Sequence, residues 1–253
     1  MEGSPEQNSG RKSSIIVGRQ PVIEALEAGR AIDKILLQAN ASGETIQKIR
    51  QLARKYNVPV QVVPAEKLNT YTRSSHQGCI ALAAIIQYME LQQVIDETVS
   101  AGNVPFFIML DGVTDVRNIV GIARTAVCCG AQALIVPDKG VGALNEEAMK
   151  ASAGALEKLH VCRVGSLLKA VDELHLNGIK VLVSAGKSEQ NLESTNFKEP
   201  CCIVMGSEGR GVQSYISKAA DQQFGITMTG NFDSFNVSVA AGIIMYEAMK
   251  QRL

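Results

Sequence analysis

The stretch PFFIMLDGVTDVRNIVGIARTAVCCG, residues 105–130, decides the fold of the larger part of this chain. It opens with an unbroken apolar run at 106–110, passes through a short polar loop, and continues with apolar residues at helical spacing. A continuous apolar run bounded by turn signals is typical of a strand that is buried on both faces. The stretch therefore predicts a strand followed by a helix, which is the repeating unit of a parallel sheet covered by helices.

Similar apolar runs recur toward the C-terminus, and most of them are separated by segments with helical spacing. This alternation predicts an α/β domain with a parallel sheet and helices on both of its faces. In such sheets ligands bind beyond the carboxyl ends of the strands, so we expect the functional residues to follow the strands directly. The further strand candidates are ALIVP (133–137), KLHVCRV (158–164), KVLVSA (180–185), CCIVMG (201–206) and QFGITM (223–228).

The N-terminal third of the chain predicts a smaller α/β unit at 14–87. Residues 1–13 are polar and without periodicity, so we expect a disordered arm. Residues 88–103 have mixed character and are interpreted as a helical linker before the larger domain, 104–253. Within the smaller unit, the expected elements are a helix from Pro21 to Gly29, strand KILLQ, helix ETIQKIRQLARKYNV, strand PVQVVP, short helix AEKLNTYT and strand CIALAAI.

The composition excludes some classes of protein and leaves others open. The chain has 253 residues, of which 46% are apolar, so it is long enough for a substantial core. Aromatic residues make up 4% and Trp is absent, which predicts a core of aliphatic side chains. Lys plus Arg number 25 and Asp plus Glu number 25, so the bulk charge neither supports nor excludes an RNA partner.

The cysteines and histidines show no spacing typical of a metal site. The six cysteines include no CxxC and the three histidines are widely separated, so we expect buried, reduced thiols and no metal. The sequence shows no signal peptide and no apolar run of about 20 residues, the length that spans a bilayer. We therefore expect a cytoplasmic protein without a membrane partner.

The polar residues after the strand at 106–110 are the first candidates for a functional site. Asn118 lies where a helix is expected to begin, so it is either a simple N-cap or a site residue. Arg124 lies in a helix otherwise made of Ile, Ala, Val and Cys, and helical side chains lean toward the helix N-terminus. We therefore expect its guanidinium to project toward the loop, where its partner is a carboxylate of the fold or a substrate phosphate.

Two later segments provide the other candidates. In IVMGSEGRGV, residues 203–212, three closely spaced glycines allow a ligand to approach the backbone, and Glu208 is either an ion-pair partner or a ligand for a hydroxyl or amino group. In DSFNVSVAAG, residues 233–242, the polar side chains of Ser234, Asn236 and Ser238 interrupt an apolar segment. Because one helix has one N-cap, at least one of these three needs another role.

Three of these segments, in this order and near these separations, resemble the motifs of the SpoU (TrmH-type) branch of the SPOUT RNA methyltransferases. They are LDGVTDVRNIVGIARTA, VMGSEGRGV and SFNVSVAAGIIMYE, and KASAGALEKLHVCRV at 150–164 resembles the segment between the first two motifs. The resemblance covers about residues 105–252. GRQPVIEAL at 18–26 and HQG at 76–78 resemble the ribosomal-protein-like RNA-binding domain of the RlmB-like subgroup, which methylates rRNA guanosine at the ribose 2′-oxygen.

The resemblance implies a fold and a function that the spacing alone does not predict. The larger domain would be an α/β trefoil knot, an exception to the usual unknotted topology, that binds S-adenosylmethionine in the knot. The active site would form across a homodimer interface, and the reaction would be methylation of a ribose 2′-hydroxyl in RNA. The subgroup implies a guanosine of large-subunit rRNA as the substrate and the smaller unit as the RNA-binding domain.

The resemblance also assigns roles to residues, motif by motif. Two departures from the family pattern are visible: DVRN stands where Asp-Pro-x-Asn is usual, which introduces Val116, and Phe235 replaces Leu. Ser238 also allows a second interpretation, a local hydrogen bond that supports the first turn of the helix. The implied catalytic or RNA-contacting residues are Asn118, Arg124, Glu208, Ser234 and Asn236, and the implied cofactor-binding residues are Met205, Gly206, Ile226, Phe235 and Ser238.

The chemistry of arginine leaves two roles open for Arg124. The family proposal uses this arginine as the base, yet deprotonating an arginine at neutral pH costs about 8 kcal/mol. A charged arginine could instead bind the adjacent phosphate and stabilise the forming alkoxide.

Three alternative functions also remain open. They are a tRNA ribose methyltransferase, a non-catalytic RNA-binding or ribosome-assembly factor that keeps the fold, and a generic Rossmann enzyme. The last expects its glycine-rich loop after the first strand, whereas here it follows a late one.

Overall fold

The computed structural model describes residues 15–84, 86–142, 144, 148, 151–152, 154–186, 188–230 and 234–253. The arm expected at 1–13 lies outside the described residues. The chain divides into two compact units at residues 84 and 85. Each unit is an α/β structure with its own sheet, as the strand and helix patterns predict.

The first unit is built on a four-stranded sheet in the order β1-β4-β2-β3. Strands β2 and β3 are parallel, and β4 runs antiparallel to both β1 and β2. Helices α1 and α2 bury their apolar stripes against one face, where Val22, Ile49 and Ile35 meet. The elements are β1 Ile15–Val17, α1 Arg19–Glu27, β2 Ile32–Gln38, α2 Glu44–Lys55, β3 Val60–Val63, α3 Ala65–Asn69 and β4 Cys79–Ala83.

The second unit contains a sheet of seven strands among its described residues, in the order β11-β9-β10-β6-β7-β8-β5. All neighbouring pairs of these strands are parallel, which confirms the predicted class of sheet. Its elements are β5 Tyr88–Met89, α4 Leu91–Ser100, β6 Phe106–Asp111, α5 Val116–Cys128, β7 Ala133–Pro137, α6 Ala155–Lys158, β8 His160–Val164, α7 Leu167–Leu176, β9 Lys180–Ser184, β10 Cys201–Gly206, α8 Ser214–Ala219, β11 Gln222–Phe224 and α9 Val237–Arg252.

The central strands bury both faces, as the continuous apolar run requires. Ile108 and Leu110 of β6 belong to the core on one face, with α5 and α9, whereas Phe107 and Met109 belong to the core on the other face, with α4 and α7. Because strand side chains alternate, one six-residue strand supplies both cores.

Three sequence expectations need correction. The predicted linker at 88–103 is part of the second unit, because β5 pairs with β8 and α4 buries its apolar face in the core. The strand expected at 223–228 ends at Phe224, since the following residues leave the sheet edge and turn toward a cavity. Of the six cysteines, Cys128 is exposed, whereas the other five are buried as expected.

Arg252, at the end of α9, joins the C-terminal helix to the segments that precede the two central strands. Its guanidinium donates hydrogen bonds to the carbonyl oxygens of Phe197, Val104, Pro105 and Glu199 at 2.7–3.2 Å. The same group lies 4.8 Å from the centre of the Phe106 ring, a cation–π contact. One side chain thus holds together segments that are about 150 residues apart in sequence.

Candidate active site

A cavity of about 470 Å³ opens at the carboxyl ends of β9 and β10, the end of the sheet where ligands of parallel α/β domains bind. The loop after β10, the segment after β11 and the start of α9 form its walls. Met205, Gly206, Ile226 and Phe235, predicted as cofactor-binding residues, all line it. The remaining lining residues are Ser184, Ala185, Gly186, Ser207, Glu208, Gly209, Arg210, Gly211, Met228, Ser234, Val237 and Ala240.

The loop after β10 folds back on itself because glycine occupies its tightest position. Ser207 and Gly211 exchange two backbone hydrogen bonds of 3.1 and 2.9 Å. This turn brings the carbonyl carbon of Gly211 to 2.1 Å from the point where a Cβ of residue 206 would lie. Any larger residue at 206 would therefore force the turn apart, which explains the glycine without invoking an unusual backbone angle.

Asp111 anchors the far end of the same loop. Its buried carboxylate, at the end of β6, accepts hydrogen bonds of 2.6 Å from both the backbone N–H and the side-chain amide of Gln213. A buried carboxylate needs such donors, because an unpaired charge in the interior is strongly disfavoured. Two neighbouring central strands thus hold the loop at both ends.

Three predicted catalytic residues meet at one point beside this loop. The side-chain amide of Asn118 donates a 3.1 Å hydrogen bond to Oε1 of Glu208. The amide of Asn236 donates to the same oxygen at 2.6 Å and to Oδ1 of Asn118 at 3.1 Å. The cluster joins α5, the loop after β10 and the head of α9, and it orients the Glu208 carboxylate at the wall of the cavity.

Asn118 is not the cap of α5, which corrects the simplest interpretation of that residue. The helix begins at Val116, and the Asp115 carboxylate is the N-cap, accepting a 2.8 Å hydrogen bond from the Arg117 backbone N–H. Hydrogen bonds from Arg117 hold the pKa of the Asp115 carboxyl below its usual value. Capping is thus supplied by Asp115, and Asn118 is available to bind Glu208.

The three polar residues at the start of α9 have three different positions. Asn236 is the N-cap, because its Oδ1 accepts hydrogen bonds from the backbone N–H groups of Ser238 and Val239. The hydroxyl of Ser238 donates to the same oxygen at 2.6 Å, so Ser238 makes the local hydrogen bond considered above and lies outside the cavity lining. Ser234 is exposed and lines the cavity.

Arg124 does not reach this cluster within the described part of one chain. Its side chain is exposed, lies outside the cavity lining and forms no hydrogen bond or ion pair with a described residue. It belongs to a stripe of α5 with Arg117, Gly121 and Cys128, at spacings of three and four residues. Gly121 packs on Ser238, because a Cβ added there would lie 3.3 Å from the Ser238 Cβ. Arg124 therefore lies three residues along α5 from the glycine that contacts the first turn of α9.

Sequence reasoning missed the side of the cavity formed by Ser184, Ala185 and Gly186. They directly follow β9, which the strand-end rule could have identified, although no unusual residue type draws attention to them. Arg210 was also missed as a lining residue, because arginine is common in solvent-exposed turns and its presence in this one does not indicate a site. Among the described residues, no group of three or more His, Cys, Asp or Glu could hold a metal ion. No described helix is long and apolar enough to cross a membrane.

The parallel sheet, the glycine turn at a strand end and the carboxylate–amide cluster beside a cavity are typical of an α/β domain with a ligand site at the ends of its strands. Comparison with known sequences identifies the family. Residues 105–246 match the SpoU rRNA Methylase family, and residues 15–89 match the family RNA 2′-O ribose methyltransferase substrate binding. The chain belongs to the SpoU methylase family of RNA methyltransferases.

Individual relatives agree with this assignment over almost the whole chain. YacO of Bacillus subtilis (strain 168), of the TrmH family of tRNA/rRNA methyltransferases, is 32% identical over 94% of this chain and 95% of its own length. Two solved structures share the fold: the SpoU methyltransferase AviRb from Streptomyces viridochromogenes in complex with AdoMet, and an AdoMet-bound rRNA methyltransferase from Sinorhizobium meliloti. The first has a TM-score of 0.60, 21% identity and coverage of 98% of this chain and 94% of that one. The second has a TM-score of 0.55, 20% identity and coverage of 96% and 88%.

Proposed function

We propose that this protein methylates a ribose 2′-hydroxyl in RNA, with S-adenosylmethionine as the methyl donor and a guanosine of large-subunit rRNA as the target. The observation that carries the proposal is the Asn118–Glu208–Asn236 cluster at the wall of the cavity. In the reaction a sulfur–carbon bond breaks, an oxygen–carbon bond forms, and the hydroxyl proton leaves. Because this is a direct displacement, correct positioning of the hydroxyl supplies most of the catalysis.

The cavity suits the cofactor in size and in lining. Its volume lies within the range of about 300–1,000 Å³ that small-molecule sites occupy. Ile226, Met228 and Phe235 offer apolar surface for an adenine ring, and the glycine turn exposes backbone N–H and C=O groups for polar contacts. Bound there, S-adenosylmethionine supplies an activated methyl group on a sulfonium.

The chain's own residues then position the acceptor. Glu208, held by two amides, presents its second carboxylate oxygen to accept a hydrogen bond from a ribose hydroxyl or a guanine amino group. Ser234, on the cavity wall, offers a hydroxyl to the same nucleotide. Asn118 and Asn236 restrict Glu208 to one orientation.

A homodimer accounts for the position of Arg124. Helix α9 exposes Val239, Ile243 and Tyr246, which are 50, 36 and 60% accessible and form one stripe at helical spacing. Such an apolar stripe favours burial against a second copy of the chain. Arg124 is exposed on α5, the helix that packs against α9, so it enters the partner's active site when the stripe is covered. There it serves as the base or as the charged clamp for phosphate and alkoxide. The knot implied by the resemblance belongs to the same proposal, with α9 as its C-terminal segment.

The first unit favours rRNA over tRNA as the substrate, since it matches a substrate-binding family and simple tRNA enzymes of the SpoU type often lack such a module. A tRNA ribose is the main alternative, because the curated relatives are named for both RNAs. A non-catalytic RNA-binding factor is disfavoured, because it has no need for the amides that orient Glu208.

Mapping 2′-O-methylation across total RNA from cells with and without this gene tests the function directly. We expect one ribose, in large-subunit rRNA, to lose its methyl group when the gene is removed. Purified protein should restore it with S-adenosylmethionine, whereas Arg124→Ala should not, and Lys169→Ala on α7 is the matched control. Partial activity of Arg124→Lys would indicate that only the positive charge is needed. A complete loss of activity would indicate that the arginine binds phosphate bidentately or acts as the base.

Two results would contradict the proposal. If Arg124→Ala retains near wild-type turnover on the mapped RNA, the assignment of Arg124 fails. If calorimetry detects no binding of S-adenosylmethionine to the wild-type protein, the non-catalytic alternative is favoured.

A further inference from the structure

The first unit contains a polar groove of about 490 Å³ at the carboxyl end of β2. Its walls are the start of α1, the loop between β2 and α2, and the loop between α3 and β4. Within residues 15–84, all of which the structure describes, the lining includes Arg19 and Arg73 but no carboxylate. A groove with two cations and no anion attracts an anionic ligand.

The groove unites the two motifs of this unit that are 58 residues apart in sequence. The Nε of Arg19, in GRQPVIEAL, donates a 2.8 Å hydrogen bond to the carbonyl oxygen of Gln77, in HQG. Its Nη1 donates at 3.2 Å to the carbonyl of Ser42. Two of its five N–H groups are used to fix the guanidinium, and the others remain for a ligand.

Two hydrogen bonds fix the ring of His76, which lines the groove. Its Nδ1 accepts a 3.0 Å hydrogen bond from the backbone N–H of Gly78, so its proton lies on Nε2. That Nε2–H donates to Oδ1 of Asn69 at 3.0 Å, which leaves the Asn69 amide N–H groups free to donate. Asn40, on the opposite loop, forms no hydrogen bond with a residue of 15–84. The groove thus carries one amide held in place, that of Asn69, and one amide without a partner within residues 15–84, that of Asn40, beside its cations.

Arg73 is the free cation of the groove. It is exposed and forms no hydrogen bond or ion pair with any residue of 15–84. No Phe, Tyr or Trp lines the groove, so the surfaces available for base stacking are the His76 ring and the two guanidinium planes. Guanidinium groups match phosphates, and asparagine amides match base edges, which are accessible in single-stranded RNA.

We propose that this groove is the site where the first unit binds RNA. Arg73 and Arg19 contact backbone phosphates, and Asn40 and Asn69 contact the edges of unpaired bases. This inference rests on the proposed function, because the RNA it binds is the RNA that the second unit methylates. The groove therefore sets substrate affinity and leaves the chemical step to the second unit.

The test compares Arg73→Ala and Asn40→Ala with Arg50→Ala, which removes an exposed arginine of α2 outside the groove. The probe is labelled, unmethylated large-subunit rRNA transcribed in vitro, and the full-length protein is used. We expect Arg73→Ala to weaken binding about tenfold, because a charge-assisted hydrogen bond is lost. The plot of the logarithm of the association constant against the logarithm of the salt concentration should become less steep by about 0.7, the contribution of one phosphate contact in single-stranded RNA.

The effect should appear in the KM for RNA and not in kcat at saturating RNA. Asn40→Ala should weaken binding without changing the salt slope, and Arg50→Ala should change neither. Unchanged affinity and slope for Arg73→Ala, or loss of kcat without loss of affinity, would overturn the groove proposal. Should the wild-type protein methylate no RNA while Arg73→Ala still weakens RNA binding, the groove proposal stands and the proposed function fails.

Discussion

The side-chain amide of Asn236 donates a 2.6 Å hydrogen bond to Oε1 of Glu208, and the Oδ1 of the same Asn236 caps α9. One residue therefore fixes the start of the C-terminal helix and the orientation of the carboxylate at the cavity. The amide of Asn118 donates to the same carboxylate oxygen, so Glu208 is held from two helices. Because the oxygen of Asn236 caps the helix and its NH2 group binds Glu208, a substitution that keeps only the oxygen separates the two contributions.

Asn236→Ser should keep the helix cap and lose the amide donors to Glu208. We expect its thermal stability to stay close to wild type, because serine caps helices as well as asparagine does. Methyl transfer should nevertheless fall strongly. Asn236→Ala removes both functions and should additionally lower the free energy of unfolding by about 1 kcal/mol. Thermal melting and single-turnover methyl transfer measure the two effects, and full activity of Asn236→Ser would contradict the role of the amide.

Mixtures of two inactive variants should recover activity if Arg124 acts across a dimer. A heterodimer of Arg124→Ala and Asn236→Ala contains one site in which both residues are intact. Random mixing makes half of the dimers mixed, so about a quarter of wild-type activity is expected. Tyr246→Asp should abolish the recovery by placing a charge in the apolar stripe of α9. If refolded mixtures contain heterodimers yet stay inactive, Arg124 acts within its own chain.

Gly206→Ala should abolish cofactor binding. The added methyl group would lie 2.1 Å from the backbone of Gly211, so the turn that lines the cavity would have to open. Gly230→Ala is the matched control, because a Cβ at that position meets no atom within 4 Å. Calorimetry with S-adenosylmethionine measures the difference. Wild-type affinity in folded Gly206→Ala would show that the turn is not part of the cofactor site.

Arg252→Ala should destabilise the second unit by about 3 kcal/mol, because several charge-assisted hydrogen bonds to carbonyl groups are lost. Arg252→Lys should recover only part of this, since an ammonium group cannot span carbonyls that the planar guanidinium reaches together. Lys250→Ala, two residues earlier in the same helix, should change stability much less, because the Lys250 side chain is 61% exposed and its one ion pair, with Glu247, is screened by water. Urea denaturation of the full chain gives the comparison. Equal effects for Arg252→Ala and Lys250→Ala would contradict a special stabilising role of the Arg252 hydrogen bonds.

Glu173→Gln should stabilise the protein at neutral pH and not in acid. Burial, and secondarily the charge of Glu90, raise the pKa of the Glu173 carboxyl above its usual value. The folded state therefore binds this proton more tightly than the unfolded state does. The ionised Glu173 carboxylate therefore lowers the free energy of unfolding. This loss of stability begins as the pH rises past the pKa of the unfolded state, and it is complete above the raised pKa of the folded state. Melting curves at pH 4 and pH 7.5 should show a gain only at the higher pH, whereas exposed Glu189→Gln should show none at either.

Much of the fold follows from local sequence pattern. The run FFIML at 106–110 can be stable only where both of its faces are covered, so it predicts a parallel sheet between helices. The amphipathic spacing of Ile46, Ile49, Leu52 and Ala53 likewise predicts α2, and the structure buries all of them except Leu52, which is half-buried. The weaker pattern at 88–103 correctly predicted a helix, but its interpretation as a linker was wrong, because Tyr88 and Met89 form a two-residue strand that pairs with β8.

The sequence by itself determined the class of sheet and the motif residues, because periodicity and residue type are local properties. Only the tertiary structure decided that Asp115 caps α5, which leaves Asn118 for Glu208, and that Ser184 and its neighbours line the cavity. It also decided that Arg124 is exposed and forms no hydrogen bond with the cluster of its own chain, and that Arg19 meets Gln77. These relationships depend on the relative positions of segments far apart in the chain, which the packing of helices on the sheet sets and local sequence does not encode.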